Sequence, residues 1–279
     1  FDQGITHIDL ANNYGPSFGS AEETFGQVMQ SSLRPYRDEL FISTKAGHDM
    51  WPGPYGTWGS RKHLFASLNQ SLKRMQLDYV DVFYSHRYDP DTPLEETMQA
   101  LADIVHQGKA LYVGISKYPR EQALEAYRYL KAEKVPCLLY QGRYNLLNRA
   151  PEEESIIQDA VDHGTGFIAF SPLAQGVLTD RYLTGIPKDS RVARGGFLKK
   201  ETLTEELLTK VSQLNDLAAR RGQTLAEMAL AWLLRDEKVT SVIVGASSVE
   251  QLADNLKALQ QTTFDAEELQ SIDAIIRGL

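Results

Sequence analysis

Short apolar runs alternate with amphipathic stretches along nearly the whole 279-residue chain. That alternation limits the fold more than any other feature. Strands are expected at 5–11, 40–46, 80–86, 110–116, 137–144, 166–172 and 241–247. Most are apolar on both faces, which suits a parallel sheet covered by helices. Helices are expected at 21–32, 60–76, 120–133, 152–163, 205–220, 224–236, 249–259 and 266–277, with another opened by Thr92-Pro93 and closed by Gly108. In 60–76, Leu64, Leu68, Leu72 and Met75 make one apolar stripe and Ser60 can cap the start. In the Thr92–Gly108 segment, Leu94, Met98, Leu101, Ala102 and Val105 face inward.

Strict βα alternation gives either a closed TIM-type barrel or a doubly wound open sheet. No G-x-G-x-x-G turn follows any strand, so the usual dinucleotide fingerprint is absent. Polar residues gather where strands end and loops begin, the face on which barrel enzymes carry their sites. An α/β barrel of (β/α)8 type over residues 1–279, as one domain, is therefore expected. Only seven strands are legible, so the first βα unit is expected before Phe1. The longest irregular stretch, 179–204, is basic and contains glycine.

Composition narrows the function. Net charge is −8, which disfavours nucleic acid as a partner. The one cysteine, Cys137, excludes an internal disulfide and suits a reducing, cytoplasmic setting. No apolar run approaches the roughly 20 residues a membrane span needs, and no signal peptide is expected. The six histidines are scattered with no H-x-x-x-H pair, so no metal site is expected.

Three predicted strands end in a carboxylate, an ammonium and an imidazole: Asp9, Lys45 and His86. Tyr14 follows Asp9 on a Gly-Pro-rich turn. Singly, each has an ordinary explanation: a turn former, a strand-end cap, a structural histidine, a surface aromatic. Jointly they can donate a proton to a carbonyl oxygen that is gaining negative charge. A phenol ordinarily titrates near 10, so work at neutral pH needs about 3–4 kcal/mol of preferential phenolate stabilisation. One ammonium about 4 Å away supplies roughly 4 kcal/mol at an effective dielectric near 20. Lys45 is the candidate cation, and Asp9 would hold it in place.

The motifs resemble the aldo-keto reductases. FD-x-GI-x-x-ID-x-A-x-x-YG at 1–15, STK at 43–45, L-x-x-DYVD-x-x-x-x-H at 77–86, GIS at 114–116, YQ at 140–141, SPLAQG at 171–176 and VGAS-x-x-x-QL-x-x-N at 244–255 occur in that order. TWGSRKHL, DPDTPLEET, NLLNR and GIPKDSR make the chain most similar to the branch with bacterial glyceraldehyde-3-phosphate and methylglyoxal reductases and the potassium-channel β-subunits. The resemblance implies a TIM-type barrel that uses NADPH without a Rossmann domain to reduce small aldehydes or α-ketoaldehydes. It makes Tyr14 the proton donor and has His86 bond the carbonyl oxygen or relay a proton.

The resemblance also implies the cofactor contacts. Ser116 and Gln141 would hold the nicotinamide carboxamide and Phe170 would stack on its ring. Ser171, Leu173, Gln175 and Gly176 would meet the pyrophosphate. Gly245, Ser247, Gln251, Asp254 and Asn255 would grip the adenosine half, with Ser247 opening a helix. Arg191, assisted by Arg181 and Lys188, would contact a 2′-phosphate and favour NADPH. Two positions depart from the pattern: Lys117 stands where many relatives have Asn, and Ser247–Ser248 lack a basic residue. The aromatic loop at 50–59 offers Trp51, Tyr55 and Trp58 as pocket walls. Arg87 and Arg143 are candidate anion contacts. The branch suggests a homotetramer or octamer. The rival expectation is a channel-β-like module that holds NADPH and docks a partner; His86, where those subunits carry Asn, favours the enzyme.

Overall fold

The computed structural model describes residues 1–187 and 198–278. They fall into two compact units, Phe1–Gln141 with Gln158–Gly166, and Gly142–Ile157 with Phe167–Leu279. In the first unit the strands are β1 (His7–Asp9), β2 (Phe41–Ala46), β3 (Val80–Ser85), β4 (Ala110–Ser116) and β5 (Cys137–Arg143), whose last two residues pass into the second. Each pairs in parallel with the next in chain order. A doubly wound sheet reverses strand order at a switch point; these strands do not. The architecture is that of an α/β barrel of TIM type.

Helices α1 (Ser20–Val28), α2 (Arg61–Met75), α3 (Leu94–His106) and α4 (Arg120–Ala132) cross between these strands. The Ser60 side chain accepts a hydrogen bond from His63 N and so caps α2. Leu64, Leu68, Leu72 and Met75 are buried as the stripe requires. On α3, Ile104 is buried in place of the expected Val105. The turn at Pro93 lies just outside that helix, in extended backbone. Past Val28 the expected helix widens into a π-helical turn at Met29–Leu33.

The glycine of the GIS motif has a packing reason. A Cβ on Gly114 would sit 2.5 Å from the Tyr84 ring and 2.8 Å from the Leu139 carbonyl oxygen. The missing side chain lets the fully buried Tyr84 lie flat against β4.

The remaining elements are α5 (Ala150–Glu153), α6 (Ile156–Asp162), β6 (Gly166–Phe170), α7 (Glu205–Arg220), α8 (Leu225–Leu233), β7 (Val239–Val242), α9 (Val249–Leu256) and α10 (Ala266–Arg277). The helix expected at 152–163 is two pieces, because Ser155 takes φ +62 between them. The strand expected at 241–247 runs instead from Val239 to Val242 and pairs with β6. In the second unit Trp232 is buried, with the Arg235 guanidinium 3.9 Å and the Arg149 guanidinium 5.1 Å from its ring centroid. Arg149 also binds Glu152 and Asp273, so a cation near the ring is itself held by carboxylates.

Candidate active site

Asp9 closes β1, Lys45 lies one residue from the end of β2, and His86 follows β3 directly. Parallel pairing in register (Asp9 with Ser43, Lys45 with Tyr84) therefore delivers these side chains to the same edge of the sheet. Lys45 Nζ donates to Asp9 Oδ2 at 2.5 Å and to the Leu10 carbonyl at 2.7 Å. The lysine side chain is fully buried and the aspartate nearly so. A buried pair repays its desolvation only when its remaining atoms are also bonded. Here Ser43 Oγ donates to Asp9 Oδ1 at 2.7 Å and Gln141 Nε2 donates to the same oxygen at 3.1 Å. Ser43 in turn accepts from His7 Nε2 at 2.9 Å. Burial holds the His7 pKa below its ordinary value, so the imidazole is neutral at neutral pH and its one proton sits on that nitrogen.

A second buried carboxylate supports the same strand. Glu22 on α1 accepts from Thr44 Oγ1 at 2.5 Å and from Arg74 Nε at 2.7 Å. Thr44 adjoins Lys45, so this network braces β2 from the helix side.

Tyr14 stands on the loop after β1, its N–H bonded to Ala11 O and its carbonyl accepting from Ala21 N. Gly15 follows with φ +112, and a Cβ there would meet Ser20 Oγ at 2.0 Å. The turn that presents Tyr14 therefore requires glycine. Lys45 Nζ lies 5.0 Å from the Tyr14 ring centroid, and the His86 ring stands edge-on to Tyr14 at 6.0 Å. Tyr14, Lys45, Asp9 and His86 are thus one cluster.

His86 is anchored by its N–H to the Ala46 carbonyl at 2.8 Å and is 5% exposed. Burial, then the cations Lys45 and Lys117, hold its pKa far below the ordinary histidine value. The ring is neutral at neutral pH. Its Nδ1 is buried without a partner. Ser116 Oγ, at the end of β4, is likewise buried and unpartnered, and so are both side-chain polar atoms of Asn12. Buried polar atoms are seldom left unsatisfied. Ser116 is the strand partner of Gln141, and the chemistry of these atoms fits an amide or carbonyl-bearing ligand.

Next to the cluster opens a cavity of about 470 Å³ lined by Asn13, Phe18, His48, Asp49, Trp58 and Arg87. It meets the cluster through His48, whose ring stands edge-on to His86 at 4.5 Å. Of the three expected aromatic walls, Trp58 lines it. Trp51 packs on His63 at 5.1 Å, and Tyr55 is 48% exposed with Lys62 over its ring. His48 was not singled out from sequence; a histidine three residues past Lys45, between two strand-end loops, has no periodic signature. Asn12 escaped for the same reason.

In the second unit Phe170 ends β6, half-buried. Ser171, Gln175 and Gly176 take positive φ, as does Ala174, while Leu173 packs with Val242, Val244 and Phe264 on a buried cluster of Leu230, Ala231 and Ala258. At Gly176 a Cβ would have no atom closer than 4.0 Å, so φ +94 is the requirement there. Arg181 is exposed on a short 3-10 turn capped by Thr179. The N-cap of α9 is Ser248 rather than Ser247. Ser248 Oγ accepts from Gln251 N, while Ser247 N–H and Oγ both bond to Gln251 Oε1. Asp254 pairs with Lys257, Gly245 is exposed, and Asn255 is buried with Nδ2 unpartnered. Arg191 and Lys188 lie outside the described residues.

Residues 1–277 match the family described as "Aldo/keto reductase family". Two proteins named L-glyceraldehyde 3-phosphate reductase, from Escherichia coli O157:H7 and strain K12, are 57% and 56% identical over 277 residues, 98% of this chain and 80% of each relative. An Arabidopsis thaliana protein named probable voltage-gated potassium channel subunit beta is 39% identical over 264 residues, 92% of this chain and 79% of the relative.

Proposed function

The chain belongs to the aldo/keto reductase family and is an oxidoreductase, and we propose that it reduces small aldehydes and α-ketoaldehydes with NADPH, Tyr14 giving the proton. The observation that carries this reading is the buried Asp9–Lys45 pair beside the Tyr14 ring, with Asp9 held by two further donors. Aldehyde reduction is supported by the reductases at 57% and 56% identity, whose printed substrate is L-glyceraldehyde 3-phosphate. Residues 1–279 act as one aldo-keto reductase domain in this reading. A cytoplasmic homotetramer or octamer belongs to it as well, testable by light scattering.

When bound, a dihydronicotinamide supplies the hydride to the carbonyl carbon. The remaining tasks fall to this chain. Tyr14 hands its phenolic proton to the oxygen as negative charge develops there. Lys45 stabilises the resulting phenolate, and Asp9 fixes Lys45 so that no reorganisation accompanies the transfer. His86, held neutral, donates an N–H to the same oxygen; an imidazolium relay is disfavoured by its depressed pKa. Ser116 Oγ and the Gln141 amide offer donor and acceptor to a carboxamide. The other positions named from the resemblance keep their proposed roles: Phe170 for ring stacking, the 171–176 turn for pyrophosphate, and Gly245, Ser247, Gln251, Asp254 and Asn255 with Arg181 and Arg191 for the adenosine phosphate end.

The test follows NADPH absorbance with methylglyoxal, glyceraldehyde 3-phosphate and 4-nitrobenzaldehyde, for the wild type and Tyr14→Phe. Consumption that depends on Tyr14 supports the reductase. The relative named a channel β-subunit supports a second reading, a module that holds NADPH and docks a partner. Tight NADPH binding with no consumption of any aldehyde would favour it.

A further inference from the structure

We infer that Arg87 and His48, with Lys117 behind His48, form a subsite that receives the phosphate group of a phosphorylated aldehyde substrate. This rests on the reductase reading above and names the part of the substrate that the cavity recognises.

The cavity borders the catalytic cluster and is open to a small ligand. Arg87 is braced as a fixed fork. Its Nε donates to Gly47 O at 2.8 Å, its Nη2 donates to Thr57 Oγ1 at 3.1 Å, and its Cζ lies 3.6 Å from the Trp58 ring centroid. Nη1 carries no partner among the described residues. A stacked, preorientated guanidinium is well suited to a phosphate. His48 Nε2 accepts from Lys117 Nζ at 3.0 Å, which leaves Nδ1–H as its donor. The carboxylate on this wall, Asp49, is exposed, bonded to Thr57 at 2.6 Å and 3.7 Å from Arg87 Nη2. Two cations and a neutral imidazole donor therefore outweigh one acid.

Two backbone strains concentrate here. Trp58 takes φ +70 and Lys117 takes φ +56. Bulky residues rarely adopt this region, and Asn tolerates it far better than Lys. Strain of this sort persists where the surroundings demand a particular side chain. At Trp58 the demand is a shelf for Arg87; at Lys117 it is an ammonium on His48. Burial and the Arg87 charge hold the Lys117 pKa down to about 8, as expected of a cation that lacks an anion partner. The buried Lys45 has its carboxylate and Lys117 has none, so an incoming phosphate would supply it.

The experiment uses NADPH-loaded enzyme and glycerol 3-phosphate, a phosphate ester with no carbonyl, titrated by calorimetry. Inorganic phosphate and glycerol are run beside it. Wild type is expected to bind the ester and phosphate and not glycerol. Lys117→Asn keeps the backbone conformation comfortable and should weaken the ester on the order of tenfold or more, the loss of a charge-assisted contact. Arg87→Gln should weaken it at least as much. If either variant melts with altered far-ultraviolet dichroism, Lys117→Gln and Arg87→Lys replace them. The kcat/KM ratio of glyceraldehyde 3-phosphate to glyceraldehyde should fall by a similar factor. Failure of wild type to bind the ester would overturn the subsite, and so would an unchanged ratio in Lys117→Asn. Ester binding that depends on Lys117, with no aldehyde turnover, would leave the subsite standing and remove the reductase. Tyr14-dependent turnover with a Lys117-independent ratio would do the reverse.

Discussion

Two lysines at the ends of β2 and β4 sit in opposite surroundings. Lys45 is sealed: its ammonium spends its bonds on Asp9 and the Leu10 carbonyl, and Asp9 is held by two further donors. Lys117 is strained at the backbone and paired with an imidazole instead of a carboxylate. The first arrangement is complete without a ligand. The second is a cation and a donor without an anion. The comparison suggests that the chemistry is preorganised within the protein, while recognition is left for the substrate to complete.

The hardest blow to the sealed side is Lys45→Met. It should abolish measurable turnover and cost about 3–5 kcal/mol, because Asp9 is left charged and uncompensated in the interior; urea unfolding reads the second effect. A variant as stable as wild type would mean the pair is replaceable. Tyr14→Phe should lower kcat by about 10²–10⁴ with stability nearly unchanged, since the phenol is half-buried and only a proton donor is lost. His86→Leu should lower kcat by about 10²–10³, the range for one lost oxyanion donor, and a smaller loss would demote the imidazole to packing.

The open side is probed by pH. Lys117 is charged below about 8, so affinity for a phosphate ester should fall as pH rises through that value, and Lys117→Asn should flatten the profile. A profile unchanged in the variant would assign the titration elsewhere. The smallest effect is on stability. Burial first, then neighbouring cations, hold His86 far down and His48 near about 4. The unfolded chain takes up protons at these histidines below about 6.5 while the folded chain refuses them. Stability is therefore full above that pH and is lost as pH falls from about 6.5 towards 4. Urea midpoints at pH 7.5 and 5.0 check the direction, and a midpoint that rises on acidification would contradict it.

The sequence reading and the structure agree most where periodicity speaks. The strands carrying Lys45 and Ser116 and the stripe from Leu64 to Met75 were legible because apolar runs and cap residues encode them directly. Asp9, Lys45 and His86 were legible because all three stand at strand ends. What escaped depends on single backbone angles. Ser155 at φ +62 splits an amphipathic pattern that reads as one helix. The cap of α9 falls on Ser248, since either of two adjacent serines could serve and Gln251 folds back onto Ser247. Lys117 was visible only as a departure from an expected Asn, and its contact with His48 joins residues 69 apart in sequence. Trp51 and Tyr55 read as equivalent to Trp58, yet only Trp58 bends back to meet Arg87.

The central claim is that Tyr14 supplies the proton from a site built on Lys45 and Asp9. The direct measurement is a single turnover by stopped flow: enzyme in excess, loaded with NADPH, mixed with glyceraldehyde 3-phosphate, for wild type and Tyr14→Phe. The account predicts that the decay of NADPH absorbance slows at least a hundredfold in the variant, while NADPH binding measured by fluorescence changes by no more than a few-fold. Equal decay rates for the two proteins would contradict it.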